Sequence, residues 1–289
     1  EVDNLRKVGT ARRVSVHFLD LPVMYAPWLQ FPLSNERKSG FLTPTLGSNG
    51  VRGFEATAPY YLNLAPNYDA TITPRYMTKR GLQMGAQFRY LLGDETSTFG
   101  VAAGEMNAEF LPPDRATGEN RYALAWQHSE QFAPWLGAFV NINKVSDDKY
   151  FADFADRIAV TSQKTPPREA GLVATSGPWS LLARAQSYQT LQDPLGPRIP
   201  IPYNILPQLL ANGSRQNVYG LDWQFAGELS NFRHLELVNG QRLIVYPSIA
   251  YPLRRSYGYV IPKAGYHYTR YPLDDNAAAA DPDPRGSCA

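Results

Sequence analysis

PYYLNLAPNYDATITPRYMTKRGLQMGAQFRYLL, residues 59–92, holds two segments whose side chains sort by odd and even position. In the second, Leu82, Met84, Ala86, Phe88, Tyr90 and Leu92 take every other place, with Gln83, Gly85, Gln87 and Arg89 between them. In the first, Tyr68, Ala70, Ile72, Pro74 and Tyr76 alternate with Asp69, Thr71, Thr73 and Arg75. Successive side chains of a strand point to opposite faces, so each segment reads as a strand with one apolar and one polar face. Thr78-Lys79-Arg80-Gly81 is a short charged turn that joins them into an antiparallel hairpin. A transmembrane β-barrel turns such an apolar face to lipid and the polar face inward. A soluble β-sandwich buries the apolar face and wets the polar one. The hairpin alone leaves both open.

Composition narrows the field. Of 289 residues 19% are charged and 12% aromatic, including 18 Tyr, and the net charge is +2, which argues against a nucleic-acid binder driven by bulk charge. The 24 Pro and 22 Gly favour many short strands with turns over long helices. No apolar run reaches transmembrane-helix length, a test that barrel strands escape because they are only half apolar. Cys288 is the single cysteine and cannot form an internal disulfide. With Glu1 first and no signal peptide visible, the chain is expected to start inside a longer precursor.

Working outward, strand patterns fall at 41–47, 53–63, 67–77, 82–92, 99–111, 121–130, 135–145, 168–176, 179–190, 217–229, 241–253 and 257–270. Their length, about ten residues, is what a tilted strand needs to cross a bilayer and exceeds the usual soluble strand. Tyr219, Leu221, Trp223, Phe225 and Leu229 share one face, and many other Trp and Tyr lie near strand ends, as in aromatic girdles. Aromatics also favour strands in general. Toward the N-terminus, a basic stretch through Arg13 leads to strand-like spacing from Val14. Val23–Leu33 follows, flanked and broken by Pro22, Pro27 and Pro32, which suits a sheet edge or an extended connector. Residues 144–157 (KVSDDKYFADFADR) break the alternation and predict a solvated acidic loop or short helical insertion. The five prolines of 193–207 predict a loop or a proline-bent strand.

Little suggests catalysis or metal binding. His17, His128, His234 and His267 have no ligand spacing. Neighbouring His128 and Ser129 would point to opposite faces of a strand, so they cannot act as base and nucleophile toward each other. Asp147, Asp148, Asp153 and Asp156 lack the glycine turn of a calcium loop. No cofactor is expected.

The runs PWLQFPLSNERKSGFLTP (27–44), APYYLNLAPNYDATITPRYMTKRGLQMGAQFRYL (58–91), KVSDDKYFADF (144–154) and RLIVYPSIAYPLRRSYGYVIPKAGYHYTRY (242–271) resemble the LptD family of lipopolysaccharide-assembly proteins. The resemblance covers Val14 to Tyr271. It implies an all-β chain: an antiparallel transmembrane β-barrel, here its N-terminal portion, preceded by the last strands of a periplasmic β-jellyroll. On that basis residues 1–33 are the end of the jellyroll and its connector, 34–271 the barrel portion and 272–289 a tail that does not match. The implied task is transport of lipopolysaccharide into the outer leaflet of the Gram-negative outer membrane through a polar lumen and a lateral gate. The implied partners are lipopolysaccharide, an LptE-type lipoprotein plug, an LptA-type jellyroll bridge and outer-membrane lipids, with no covalent chemistry. Pro44 and Pro59 match the gate prolines, and Pro27, Trp28 and Pro32 fall at the portal between jellyroll and barrel. Without the resemblance, Pro44 reads as a bend where a strand begins and Pro59 as a rim position. Most of the jellyroll, about half the barrel strands and the family's paired cysteines are missing, so this piece alone is not expected to translocate. A lipid-modifying barrel enzyme and a soluble tyrosine-rich binding module are the rival readings.

Overall fold

The computed structural model describes residues 2–3, 8–18, 21–32, 37–93, 100–155, 165–192 and 196–274. Leu33 and the start of the polar break after it, Asp156, Cys288 and the tail from 275 lie outside the described residues. The chain divides into two units.

The first unit comprises Glu1–Leu92, Ala102–Trp126 and Lys144–Gln163. It opens with β1 (Val2–Asp3), β2 (Val8–Phe18) and β3 (Leu21–Pro32), which form an antiparallel sheet of their own in that order. Pro22, Pro27 and Pro32 all lie in β3, an edge strand of that sheet, where a missing N–H disturbs one ladder at most. Trp28 pairs with Arg12 and Pro32 with Val8.

Next come β4 (Gly40–Phe41), β5 (Thr45–Asn49), β6 (Gly53–Thr57), β7 (Tyr60–Ala65), β8 (Tyr68–Met77), β9 (Gly81–Leu92), β10 (Val101–Leu111) and β11 (Arg121–Ala133). They run as antiparallel neighbours, with β4 and β5 at the edge. The β8–β9 ladder pairs Tyr68 with Tyr90, Ala70 with Phe88 and Tyr76 with Leu82, so the two apolar faces read from the sequence coincide. Gly53 and Gly81 close two hairpin turns with φ of 76° and 114°, the left-handed region that glycine enters without a steric penalty. A Cβ on Gly53 would also stand 2.3 Å from Thr78 Oγ1, so its absence lets the turns at 50–52 and 78–80 touch. The sequence reading of 53–63 as one strand is corrected: it divides into β6 and β7 at Pro59.

The second unit comprises Gly93–Val101, Gln127–Asn143 and Lys164–Ala289. Here β12 (Leu136–Val145), β13 (Pro167–Ser176), β14 (Trp179–Tyr188), β15 (Asn204–Val218), β16 (Leu221–Arg233) and β17 (Gly240–Ala250) pair antiparallel in sequence order. Four short strands follow: β18 (Leu253–Arg255), β19 (Gly258–Val260), β20 (Lys263–Gly265) and β21 (Tyr268–Arg270). The single strand expected over 257–270 is therefore in pieces, and Pro262 sits in the break between β19 and β20. β15 is a second correction. No strand pattern falls over 208–216 in the sequence, yet this stretch, with Asn212, Gly213 and Ser214, is held by ladders to β14 on one side and β16 on the other. Strand propensity yields here to the pairing context. The expectation for 144–157 holds in part: α1 (Tyr150–Phe154) is one short helix in the connection after β12.

Candidate functional site

Which face of the hairpin is covered separates the two architectures left open above. On the apolar face, Leu82 is 50% exposed, Tyr76 43% and Ile72 39%. On the polar face Gln83 is 2% exposed, Asp69 3% and Met77 0%. A soluble sandwich would show the reverse, because burying apolar area is its main source of stability. Toward the 78–80 turn and around Asp69 the polar face is covered by the protein itself, while Leu82, Tyr76 and Ile72 on the apolar face are left bare.

Pro44 and Pro59 lie at one level of the edge. Phe41 pairs with Tyr60 and Thr45 with Thr57, so residues 42–44 of the edge strand stand against only 58–59 of its neighbour. One extra residue on one strand is the signature of a bulge, and Pro44 sits in it. Leu42 N–H donates to the Pro59 carbonyl at 2.8 Å. In a regular antiparallel pair the opposing residues exchange two bonds, but Pro59 has no N–H to return. The ladder here carries half its usual bonding. Pro44 falls between β4 and β5 and Pro59 between β6 and β7.

Charged clusters lie to either side of this level. Toward the end of the strands where the turns at 50–52, 78–80 and 112–120 lie, the connection at 146–155 folds onto the polar face. Arg121 is its hub: Nη1 reaches Asp153 Oδ2 at 2.6 Å and Asp114 Oδ2 at 3.1 Å, while Nη2 and Nε take both oxygens of Asp147 at 2.6 and 2.9 Å. Arg80 bonds Asp114 at 2.8 Å and Asp153 at 3.1 Å. Arg52 and Arg75 both pair with Glu55, and they donate to the carbonyls of Asp153 and Phe154 at 3.2 Å. Beneath them α1 buries Tyr150 and Phe154, with the Arg121 guanidinium 4.6 Å from the Phe154 ring centroid. The Tyr150 hydroxyl donates to Glu109 at 2.6 Å and accepts from Gln83 at 3.0 Å. Burial, reinforced by the Glu109 charge, pushes that hydroxyl's pKa far up, so it stays protonated and donating.

Near the other end, Asp69 accepts two bonds from Arg89, both at 2.9 Å, one from Arg37 at 3.1 Å and one from the Tyr61 hydroxyl at 3.0 Å. Arg37 also donates to the Pro66 carbonyl, and Asn63 to the Arg37 carbonyl at 2.8 Å. Residues 37–39, which lead from β3 toward β4, are thereby tied to β7 and β8.

The solvated loop expected for Asp147 and Asp153 is thus a packed ion-pair cluster. The signal that could have found it was present: Arg52, Arg80 and Arg121 each sit in or beside alternate hairpin turns, which lie at one end of an up-and-down sheet, and the acidic insertion leaves from that same end. Asp147 titrates accordingly. Burial alone would raise its pKa, but hydrogen bonds from Arg121, Ser146 and the Lys149 N–H outweigh it and hold the carboxyl below its ordinary 3.8. A depressed carboxylate contributes stability that is present above the ordinary value and lost as pH falls through the depressed one. Protease cleavage within 146–155 of the folded protein should therefore stay flat from neutral pH to about 4 and rise only below that; a rise beginning near pH 6 would contradict it.

Of the other candidates, His128 lies 3.4 Å from Glu130 on its own strand, while Ser129 is exposed between them, as opposite faces require. His234 is held by the Ile201 carbonyl and two backbone N–H groups. Among the described residues no three His, Cys, Asp or Glu gather as a metal site. Pro27, Trp28 and Pro32 belong to the separate β1–β3 sheet.

Known proteins supply the context. A family model described as LptD protein matches residues 10–166, and one described as LPS transport system D matches 119–286. This chain belongs to the LptD family. LPS-assembly protein LptD of Azoarcus sp. strain BH72 is 46% identical over 283 residues, covering 96% of this chain and 34% of that protein. LptD of Nitrosomonas eutropha is 41% identical over 286 residues, 96% of this chain and 38% of its own length. That of Aromatoleum aromaticum is 44% identical, covering 95% and 34%. The chain spans about a third of the length of these curated relatives. As an LptD chain it is all-β and antiparallel, and no helix among its described residues is long and apolar enough to cross a membrane.

Proposed function

We propose that this LptD chain is the N-terminal part of an outer-membrane barrel that inserts lipopolysaccharide into the outer leaflet, with β4–β7 forming one side of a lateral gate. The observation that carries the membrane reading is the inverted hairpin, bare on its apolar face and covered on its polar face. Lipid is the solvent in which that arrangement is stable. In the second unit Trp135 and Trp179 lie at hairpin turns on one end of the strands, and Trp179 stacks 5.5 Å from Trp223, which suits an interfacial aromatic band. On the polar face a cavity of about 370 Å³ has among its lining residues Thr45, Thr57, Thr73, Gln87 and Asn107, whose hydroxyls and amides suit sugar, beside the charged Glu55 and Arg75.

In this reading Pro44 and Pro59 weaken the first ladder, so the edge can part without melting the sheet. The β1–β3 sheet is the end of a periplasmic jellyroll that meets an LptA-type bridge, with Pro27, Trp28 and Pro32 at the portal where acyl chains pass into the bilayer. An LptE-type lipoprotein occupies the lumen of the complete barrel. In this reading the chain moves its cargo without covalent chemistry; among the described residues the buried carboxylates Asp69 and Asp114 are paired with arginines. Depleting the full-length protein in its own cells tests this. Newly made lipopolysaccharide should accumulate inside the outer membrane and disappear from surface labelling, with recovery on re-expression. Unchanged surface labelling on full depletion would refute it.

A further inference from the structure

Pro74 is the third proline at the level of the candidate gate, and it acts on a different ladder. Thr57 pairs with Arg75 and Tyr60 with Ile72, which sets Ala58 opposite Pro74. Ala58 N–H donates to the Pro74 carbonyl at 3.2 Å. The N and carbonyl of one strand residue point the same way, so the bond that residue 74 would return to Ala58 is the one proline cannot make. The strand made of β6 and β7 therefore lacks a bond to the edge strand at Pro59 and a bond to β8 at Ala58, within two adjacent residues. Above this level Glu55 of β6 holds Arg75 of β8 at 2.7 Å; below it, Tyr61 of β7 holds Asp69 of β8 at 3.0 Å. Both ladders are weak in the middle and fastened at the ends.

We infer that Pro74 is a positioning residue of the gate: β6–β7 parts from β8 at this level between the two charged clamps, so the first hairpin bows outward. The aperture then spans two ladders, which gives a bulky glycolipid more room than parting a single strand. This rests on the gate reading above.

Two variants of the full-length protein in cells test it. Pro74→Ala restores one N–H, and one net hydrogen bond shifts an opening equilibrium by roughly 2- to 10-fold. Surface appearance of pulse-labelled lipopolysaccharide should slow by about fivefold, with the folded protein present at its usual level. The second variant, Tyr60→Cys with Ile72→Cys, places cysteines at a paired position of β7 and β8 inside the stretch between the two clamps. Oxidation should arrest export and reductant restore it within one sample; the loss of the Tyr60 ring is common to both states and cancels. A purely structural role for Pro74 would not make export redox-dependent. Equal export by the oxidised and reduced pair, or by Pro74→Ala and parent, overturns the inference. If Pro59→Ala still slows export in that case, the gate stands and only the second ladder is excluded; if Pro59→Ala is also silent, the gate reading falls too.

Discussion

Arg121→Met is expected to lower the stability of the folded protein by about 3–5 kcal/mol, the usual cost of removing one partner from a buried ion pair. The Arg121 side chain is 3% exposed, and it is shared by Asp114, which is 0% exposed, Asp147 and Asp153. Methionine fills much of the same volume, so packing against Phe154 is largely kept and the loss reports charge. Arg80 still reaches Asp114 and Asp153, but among the described residues Asp147 pairs with no arginine besides Arg121, and its connection should come off the polar face first. For the barrel proposed above, the measure is the rate of heat-induced conversion from the compact to the unfolded gel band, which does not require reversible unfolding. Arg121→Lys keeps the charge without the planar fork and should fall between parent and Met. Conversion of Arg121→Met at the parental rate would mean that the cluster contributes nothing to stability.

Pro59→Ala is expected to act on transport and leave the fold intact. The new N–H can donate to the Leu42 carbonyl and complete a pair that now has one bond, Leu42 N–H to the Pro59 carbonyl at 2.8 Å. A net hydrogen bond contributes roughly 0.5–1.5 kcal/mol in water, and a backbone group facing hydrocarbon has no water to fall back on. An opening step limited by this ladder should slow by about 2- to 10-fold, read as delayed surface labelling of new lipopolysaccharide in the full-length protein. Pro44→Ala should have less effect, because Pro44 lies in a bulge where the register has already slipped. Unchanged export by Pro59→Ala would remove the gate role from this position.

The features that could be read from residues alone are those set by near neighbours in the chain. The β8–β9 register follows from alternation around a short turn, and the pairs Tyr68–Tyr90 and Asp69–Arg89 fall where that alternation puts them. Pro27 and Pro32 point to an edge because any proline lacks a donor. The break of 53–63 at Pro59 was hidden because its flanking segments keep a strand-like composition. β15 was hidden for the opposite reason: Asn212-Gly213-Ser214 resembles a turn until Trp179, Ser180 and Phe225 are seen paired across from it.

By itself the sequence determined that this chain carries many two-faced strands and that Val23–Leu33 is broken by prolines, since each follows from a period of two residues and from the chemistry of one residue type. Only the tertiary structure decided which face is covered, that residues 144–155 hold a buried ion-pair hub, and that Pro44, Pro59 and Pro74 share one level. Those facts depend on groups far apart in sequence, such as Arg52 and the Asp153 carbonyl, 101 residues away. A carboxylate's environment is set by the arginines that fold around it, and only the closed ladders say which arginines those are.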